Sequence, residues 1–172
     1  MEKFLIESPR LFLRKIQQED FSSLKEILSD IEIMYAWEHA FSDEEIHKWI
    51  NENLRRYEDD GYSYFAVIEK SSCKFLGVCG LIDEHADSEK HLGIGYIFNK
   101  KYWGNGFAFE SAESCIKYAA DKLKASEITA QIRPENLSSR RVAEKLGMTE
   151  KKQFVKIYNG KEMPHILYCR TI

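Results

Sequence analysis

A chain of 172 residues is long enough for one domain, spanning 1–172, that buries about two-thirds of its unfolded surface. With 44% hydrophobic and 31% charged residues and a formal charge of -3, it gives no global reason to expect nucleic acid or an anionic membrane as partner. A local basic groove stays open.

The opening Met1-Glu2-Lys3-Phe4-Leu5-Ile6 lacks the apolar core of a signal peptide, and no run approaches the roughly 20 apolar residues of a membrane span. Cys73, Cys79, Cys115 and Cys169 are scattered without a C-x-x-C pair, so reduced thiols and a cytoplasmic location are expected, with no metal site.

Leu5 to Ile16 reads as a strand in which Leu11 and Leu13 alternate with Arg10 and Arg14. Asp20 is placed to cap a helix carrying Phe21, Leu24, Ile27 and Leu28. Ser42 followed by Glu45 forms a capping box for a second helix running towards Tyr57, with Ile46, Trp49, Ile50 and Leu54 on one side. Tyr64–Ile68 and Phe75–Ile82 are strands joined by a turn at Ser71–Lys74. Asp83 to Lys90 is polar and reads as a loop, and Leu92–Phe98 as the next strand.

After that strand come Trp103-Gly104-Asn105-Gly106 and a long helix whose apolar face is Ala108, Ala112, Cys115, Ala119 and Leu123. A helix start entered through glycines is a ready anion site, because its first N–H groups point outward without partners. Lys100 and Lys101 add positive charge nearby. A phosphate or pyrophosphate is the ligand class suggested, although the same glycines also suit a plain strand-to-helix turn. The segment is not a P-loop, since no Gly-Lys-Ser/Thr ends it. Nor is it the three-glycine dinucleotide fingerprint, because Phe109 stands where the third glycine belongs.

Glu127–Arg133 is a strand broken by Pro134, and Leu137–Leu146 a short helix ended by Gly147. Asn136 caps that helix and Ser139 lies in its first turn, at the edge of the preceding strand. Val155–Tyr158 and His165–Cys169 are the last strands, joined through Asn159-Gly160. The order of elements predicts an α+β domain with a mixed sheet.

Two stretches carry a resemblance. Trp103-Gly104-Asn105-Gly106-Phe107-Ala108 looks like the acyl-CoA pyrophosphate loop of the GNAT N-acetyltransferases. Asn136-x-x-Ser139-x-x-Val142-x-Glu144-Lys145-Leu146-Gly147 resembles that family's second signature. Glu7-Ser8-Pro9-Arg10-Leu11-Phe12-Leu13-Arg14 resembles the opening strand of the subgroup containing the ribosomal-protein N-terminal (Rim-type) enzymes. The likeness covers nearly the whole chain. It implies a GNAT-like, mostly antiparallel central sheet flanked by helices, in the order β-α-α-β-β-β-α-β-α-β-β.

By the same resemblance, acetyl-CoA is the cosubstrate and a primary amine the acceptor, attacking the thioester directly in a ternary complex. The backbones of Ile97, Phe98 and Asn99 would pair with the pantetheine arm. The N–H groups of Trp103, Gly104, Asn105, Gly106, Phe107 and Ala108 would hold the pyrophosphate, and Asn136 would bond the pantetheine. Ser139 would protonate the leaving thiolate, and an N–H near Phe98 would stabilise the oxyanion. Arg140 and Arg141 would approach the adenosine phosphates or else be solvated helix charges. Tyr35 and Trp37 would wall the acceptor site, with His165 a weaker candidate there.

Two positions depart from the family pattern. Ala143 stands where many members carry a tyrosine acid, and Gly93 where subgroup members often carry a glutamate base. His91, Glu84 and His85 are the candidates to replace that base, with His91 on the same strand face as Gly93. An α-amine of pKa near 7.8 is about 14% neutral at pH 7, against about 0.04% for a lysine at 10.4. A peptide N-terminus or a small-molecule amine is therefore favoured over a lysine side chain. A homodimer is one arrangement the resemblance allows. Two competing readings are a non-catalytic acyl-CoA-binding or sensor protein and, more weakly, a nucleotide-phosphate enzyme.

Overall fold

The computed structural model describes residues 4–172; Met1 to Lys3, the head of the expected leaderless start, lie outside the described residues. Strands β1 (Ile6–Glu7) and β2 (Leu11–Lys15) lead into α1 (Phe21–Leu28) and α2 (Asp43–Asp59). A meander follows: β3 (Tyr64–Glu69), β4 (Phe75–Ala86) and β5 (Glu89–Phe98). Helix α3 (Phe107–Leu123), β6 (Glu127–Ile132), α4 (Leu137–Lys145), β7 (Thr149–Tyr158) and β8 (Lys161–Thr171) complete the chain.

All eight strands form one sheet in the order β1-β2-β3-β4-β5-β6-β8-β7, antiparallel throughout except between β5 and β6. The expected α+β class and mixed sheet are therefore present. Strand alternation sorts the core. Phe65, Val67, Leu76, Cys79, Leu81, Ile94 and Phe98 face α3 and α4, while Tyr64, Ala66, Ile68, Val78 and Ile97 face α1 and α2.

Four local expectations change. The opening strand is a hairpin, because the chain reverses at Ser8-Pro9-Arg10 and pairs Ile6 with Leu13. Asp20 does not cap α1; its carboxylate accepts from Arg14 Nη1 and Nη2, both at 2.8 Å, and from the Gln17 amide. Asp83–Lys90 is no loop but the tip of a long hairpin, pairing Asp83 with Leu92 and His85 with Lys90 around a two-residue turn. Of the last two strands, β7 begins earlier, at Thr149, and β8 runs longer at both ends, from Lys161 to Thr171. The Ser42 capping box forms, with Glu45 N–H to Ser42 Oγ at 3.3 Å and Ser42 N–H to Glu45 Oε2 at 2.7 Å.

Candidate active site

Gly104 and Gly106 both take left-handed backbone angles, φ 77° and 78°, which turn the chain sharply into α3. A side chain on Gly104 would meet nothing within 4 Å, so the space beside this turn is open. Among the described residues the N–H groups of Gly104, Asn105, Gly106, Phe107 and Ala108 have no hydrogen-bond acceptor. The Trp103 N–H differs, since it bonds the Lys100 carbonyl at 3.2 Å. Five consecutive donors at the positive end of a 17-residue helix, beside open space, make a cradle of the kind that suits an anionic group.

The loop is held from behind. Asn105 Nδ2 donates to the Tyr102 and Trp103 carbonyls at 3.0 and 3.2 Å. Arg10 comes from the first hairpin, donating through Nη1 to the Asn105 carbonyl at 3.0 Å and stacking its guanidinium over Phe107. Its Nε bonds Glu110 Oε2 at 2.6 Å, while Glu110 Oε1 accepts from Ser8 Oγ and the Arg10 N–H. Burial opposes the Glu110 charge, but these hydrogen bonds outweigh it and hold the carboxyl below its ordinary range. Lys100 and Lys101 do not face the cradle: Lys100 pairs with Asp30 and Glu32, and Lys101 with Glu26. Arg10 is the cation at the loop, and sequence reasoning had it only as a strand residue.

Strand β5 pairs with β6 at Gly93 and Thr129 alone, and beyond that rung the two strands part. The Asn99 N–H bonds the Leu76 carbonyl at 3.0 Å, so alternation also turns the Ile97 groups to β4 and the Tyr96 and Phe98 groups to the gap. The Phe98 carbonyl accepts from the Trp103 indole at 2.9 Å, leaving the Phe98 N–H as the free donor. Asn99 is taken up locally: its side chain accepts from Lys101 N–H and donates to Glu26. Of the three backbones expected to meet a ligand chain, Phe98 alone faces the gap.

Across the gap stands α4. Asn136 Oδ1 accepts from Ser139 N–H at 3.2 Å and Ser138 Oγ at 3.1 Å, which leaves Nδ2 unengaged. The Tyr96 hydroxyl lies at Ser139, donating to its carbonyl at 3.0 Å. That clamp from β5 to α4 had no signal in the sequence. Arg140 turns away, to Tyr168, Pro134 and Glu150. The Tyr35–Trp37 turn closes the near side: Arg133 Nη1 donates to the Ala36 carbonyl at 3.0 Å, and Glu38 pairs with Lys161. Trp37 packs against the α1–α2 core, and the Tyr35 hydroxyl lies at Ser138. His165, half-buried beside Phe154, bonds the Met163 carbonyl, and burial lowers its pKa.

The acetyltransferase (GNAT) domain family matches residues 10–149. A relative named "Uncharacterized N-acetyltransferase YnaD", from Bacillus subtilis (strain 168), is 30% identical over 164 residues, covering 91% of this chain and 90% of that protein. The crystal structure of a GNAT-family acetyltransferase from Bacillus anthracis superposes with a TM-score of 0.82 at 28% identity, covering 98% of both chains. A ribosomal L7/L12 alpha-N-protein acetyltransferase, RimL, solved with coenzyme A, shares the fold at a TM-score of 0.82 and 17% identity, covering 99% of this chain and 98% of its own.

The chain belongs to the GNAT acetyltransferase family.

As a GNAT protein it is an acyltransferase with acetyl-CoA as cosubstrate. The two family departures have different surroundings. Ala143 is fully buried, in the core cluster that α3 and the sheet share. Gly93 lies on the face of β5 that also carries His91 and Gly95. A Cβ placed on it would come 2.5 Å from Glu84 Oε2, and one on Gly95 would overlap the Tyr64 hydroxyl. His91 sits at the far end of β5 between Glu89 (Nε2 to Oε2, 3.5 Å) and Glu127 (Nδ1 to Oε1, 4.0 Å). Among the described residues no helix is long and apolar enough to cross a membrane, and no group of side chains is arranged to hold a metal ion.

Proposed function

We propose that this GNAT enzyme acetylates a primary amine, either a peptide N-terminal α-amine or a small-molecule amine, by direct attack within a ternary complex in the cytoplasm. The observation that carries this reading is the run of five unpartnered amides from Gly104 to Ala108, opening onto the gap between β5 and β6 with Asn136 and Ser139 on its far wall. The amides hold the diphosphate, and the unengaged Asn136 Nδ2 bonds the pantetheine chain in the gap. The Phe98 N–H then stands where the thioester oxygen gains negative charge, and donors fixed in advance at that oxygen lower the barrier. Ser139 Oγ supplies the proton for the departing thiolate. Tyr35 and Trp37 wall the amine's side of the gap. RimL, by its name, acetylates a protein α-amine, and an acceptor of that class has the low pKa that leaves some of it neutral at pH 7.

Acetyl-CoA turnover against a panel of α-amino peptides, amino acids, polyamines and aminoglycosides, read as free thiol, tests the reading. Amine-dependent thiol release is expected, with α-amines turned over at higher kcat/KM than lysine side chains. Ser139→Ala should lower kcat by about tenfold or more while leaving coenzyme A binding near wild type. A protein that binds coenzyme A but releases no thiol with any amine would be the non-catalytic binder instead.

A further inference from the structure

We propose that Glu84, reaching across from β4, is the group that accepts the amine's proton, in place of the glutamate this chain lacks at position 93. The inference rests on the amine-acetylation reading above. Three glycines on one sheet face make it possible. Tyr64 on β3, Gly80 on β4 and Gly95 on β5 stand in one row across three strands. With no side chains at 80 and 95, the Tyr64 ring lies across the row and its hydroxyl lands over Gly95. Two rows further along on the same face, Glu84 faces His91 and bends back towards bare Gly93 in the row between, placing Oε2 where a side chain from 93 would begin. The carboxylate has moved to the neighbouring strand while occupying the same space.

The side chain is held for chemistry rather than for cohesion. Oε2 is sealed from solvent without a hydrogen-bond partner among the described residues, which costs stability and offsets nothing structural. Burial pushes the carboxyl up to about 7, against the pull of Lys156 on β7 and Arg56 on α2. The other titratable groups on this face are His91 opposite and the Tyr64 hydroxyl, which burial keeps neutral. A base whose pKa lies near the working pH is the most effective one.

Gly93 precedes Phe98 by five residues, about 16 Å at roughly 3.3 Å each, so the proton does not cross by direct contact. Water bridges that interval in this proposal, with the Tyr64 hydroxyl over Gly95 lying along the way. The amine nitrogen's lone pair forms the C–N bond at the acetyl carbon, and the C–S bond breaks as its electrons leave with sulfur. The nitrogen's proton passes through that water to Glu84, and the thiolate takes one from Ser139, which is reprotonated from solvent. Glu84 returns its proton to water, giving amide and free thiol in balance.

The test compares wild type, Glu84→Gln and the transplant Glu84→Ala/Gly93→Glu on the best amine of the panel, with coenzyme A affinity and Tm measured alongside. Wild-type kcat/KM should rise through a limb near pH 7. Glu84→Gln should lose about 100-fold or more and lose that limb, while binding coenzyme A normally and melting at pH 8 no lower than wild type. The transplant should recover at least a tenth of wild-type turnover. A Glu84→Gln protein within threefold of wild type with the limb intact overturns the proposal and leaves the acetyltransferase reading standing. So does a coenzyme A-binding transplant no faster than Glu84→Ala alone. A wild-type protein inert to every amine overturns both.

Discussion

Gly104 and Gly106 were visible in the sequence because left-handed backbone leaves so few residue choices, and the structure places both at φ near 77°. Their use is not close packing, since the positions a side chain would take are nearly empty, with Arg10 Nη2 at 3.5 Å the nearest atom to Gly106. Gly106→Val should therefore fold with about 1–2 kcal/mol of backbone strain and project its methyls into the cradle. Steady-state kinetics should show KM for acetyl-CoA rising tenfold or more with a smaller change in kcat. The lysines were misleading for a physical reason. Lys100 and Lys101 are close in sequence to the loop but find Asp30, Glu32 and Glu26 on the α1 side, a pairing that local spacing cannot reveal. Arg10 serves the loop from about a hundred residues away, and only the folded chain brings it there.

Helices and caps were legible because their signals are local: Ser42 with Glu45 and Asn136 with Ser139 form as their spacing implies. Strand limits were not. Polar residues from Asp83 to Lys90 resemble a loop because their burial comes from cross-strand neighbours rather than from an apolar pattern of their own. Pro9 and the Ser8 turn divide what reads as one strand into a hairpin, and that hairpin acquires a task. Ser8 and Arg10 both reach Glu110 in the first turn of α3, tying the sheet's edge to the helix whose amides form the cradle. Glu110→Gln should cost about 2 kcal/mol of stability in urea titrations at pH 7. The sign with pH is fixed by the lowered pKa. The contribution is whole above the ordinary glutamate range near 4.3 and fades as the pH falls through it, so the two proteins should converge in stability under acid.

At the scale of the molecule, the order of elements and the mixed sheet followed from periodicity and turn residues, helped by a resemblance spanning most of the chain. The sequence could not show where the sheet comes apart, because pairing between β5 and β6 depends on how two strands separated by a 17-residue helix diverge after one shared rung. Glu84 was among the residues the sequence offered in place of the missing carboxylate, but its reach over bare Gly93 is visible only as register. The candidate site is thus half local motif and half topology. The motif half is the cradle and the cap, and the topological half is the gap and the row of glycines beneath Tyr64 and Glu84.

A sheet that opens along one seam leaves peptide groups facing solvent in the middle of a fold that otherwise shields them. Deuterium should enter the amides of Tyr96 and Phe98 quickly in the free protein and slowly once coenzyme A lies along the seam, while the β3–β4 rungs change little in either state. The missing rungs would then act as a built-in gauge of occupancy, showing the cosubstrate's arrival at two peptide bonds before any acetyl group has moved.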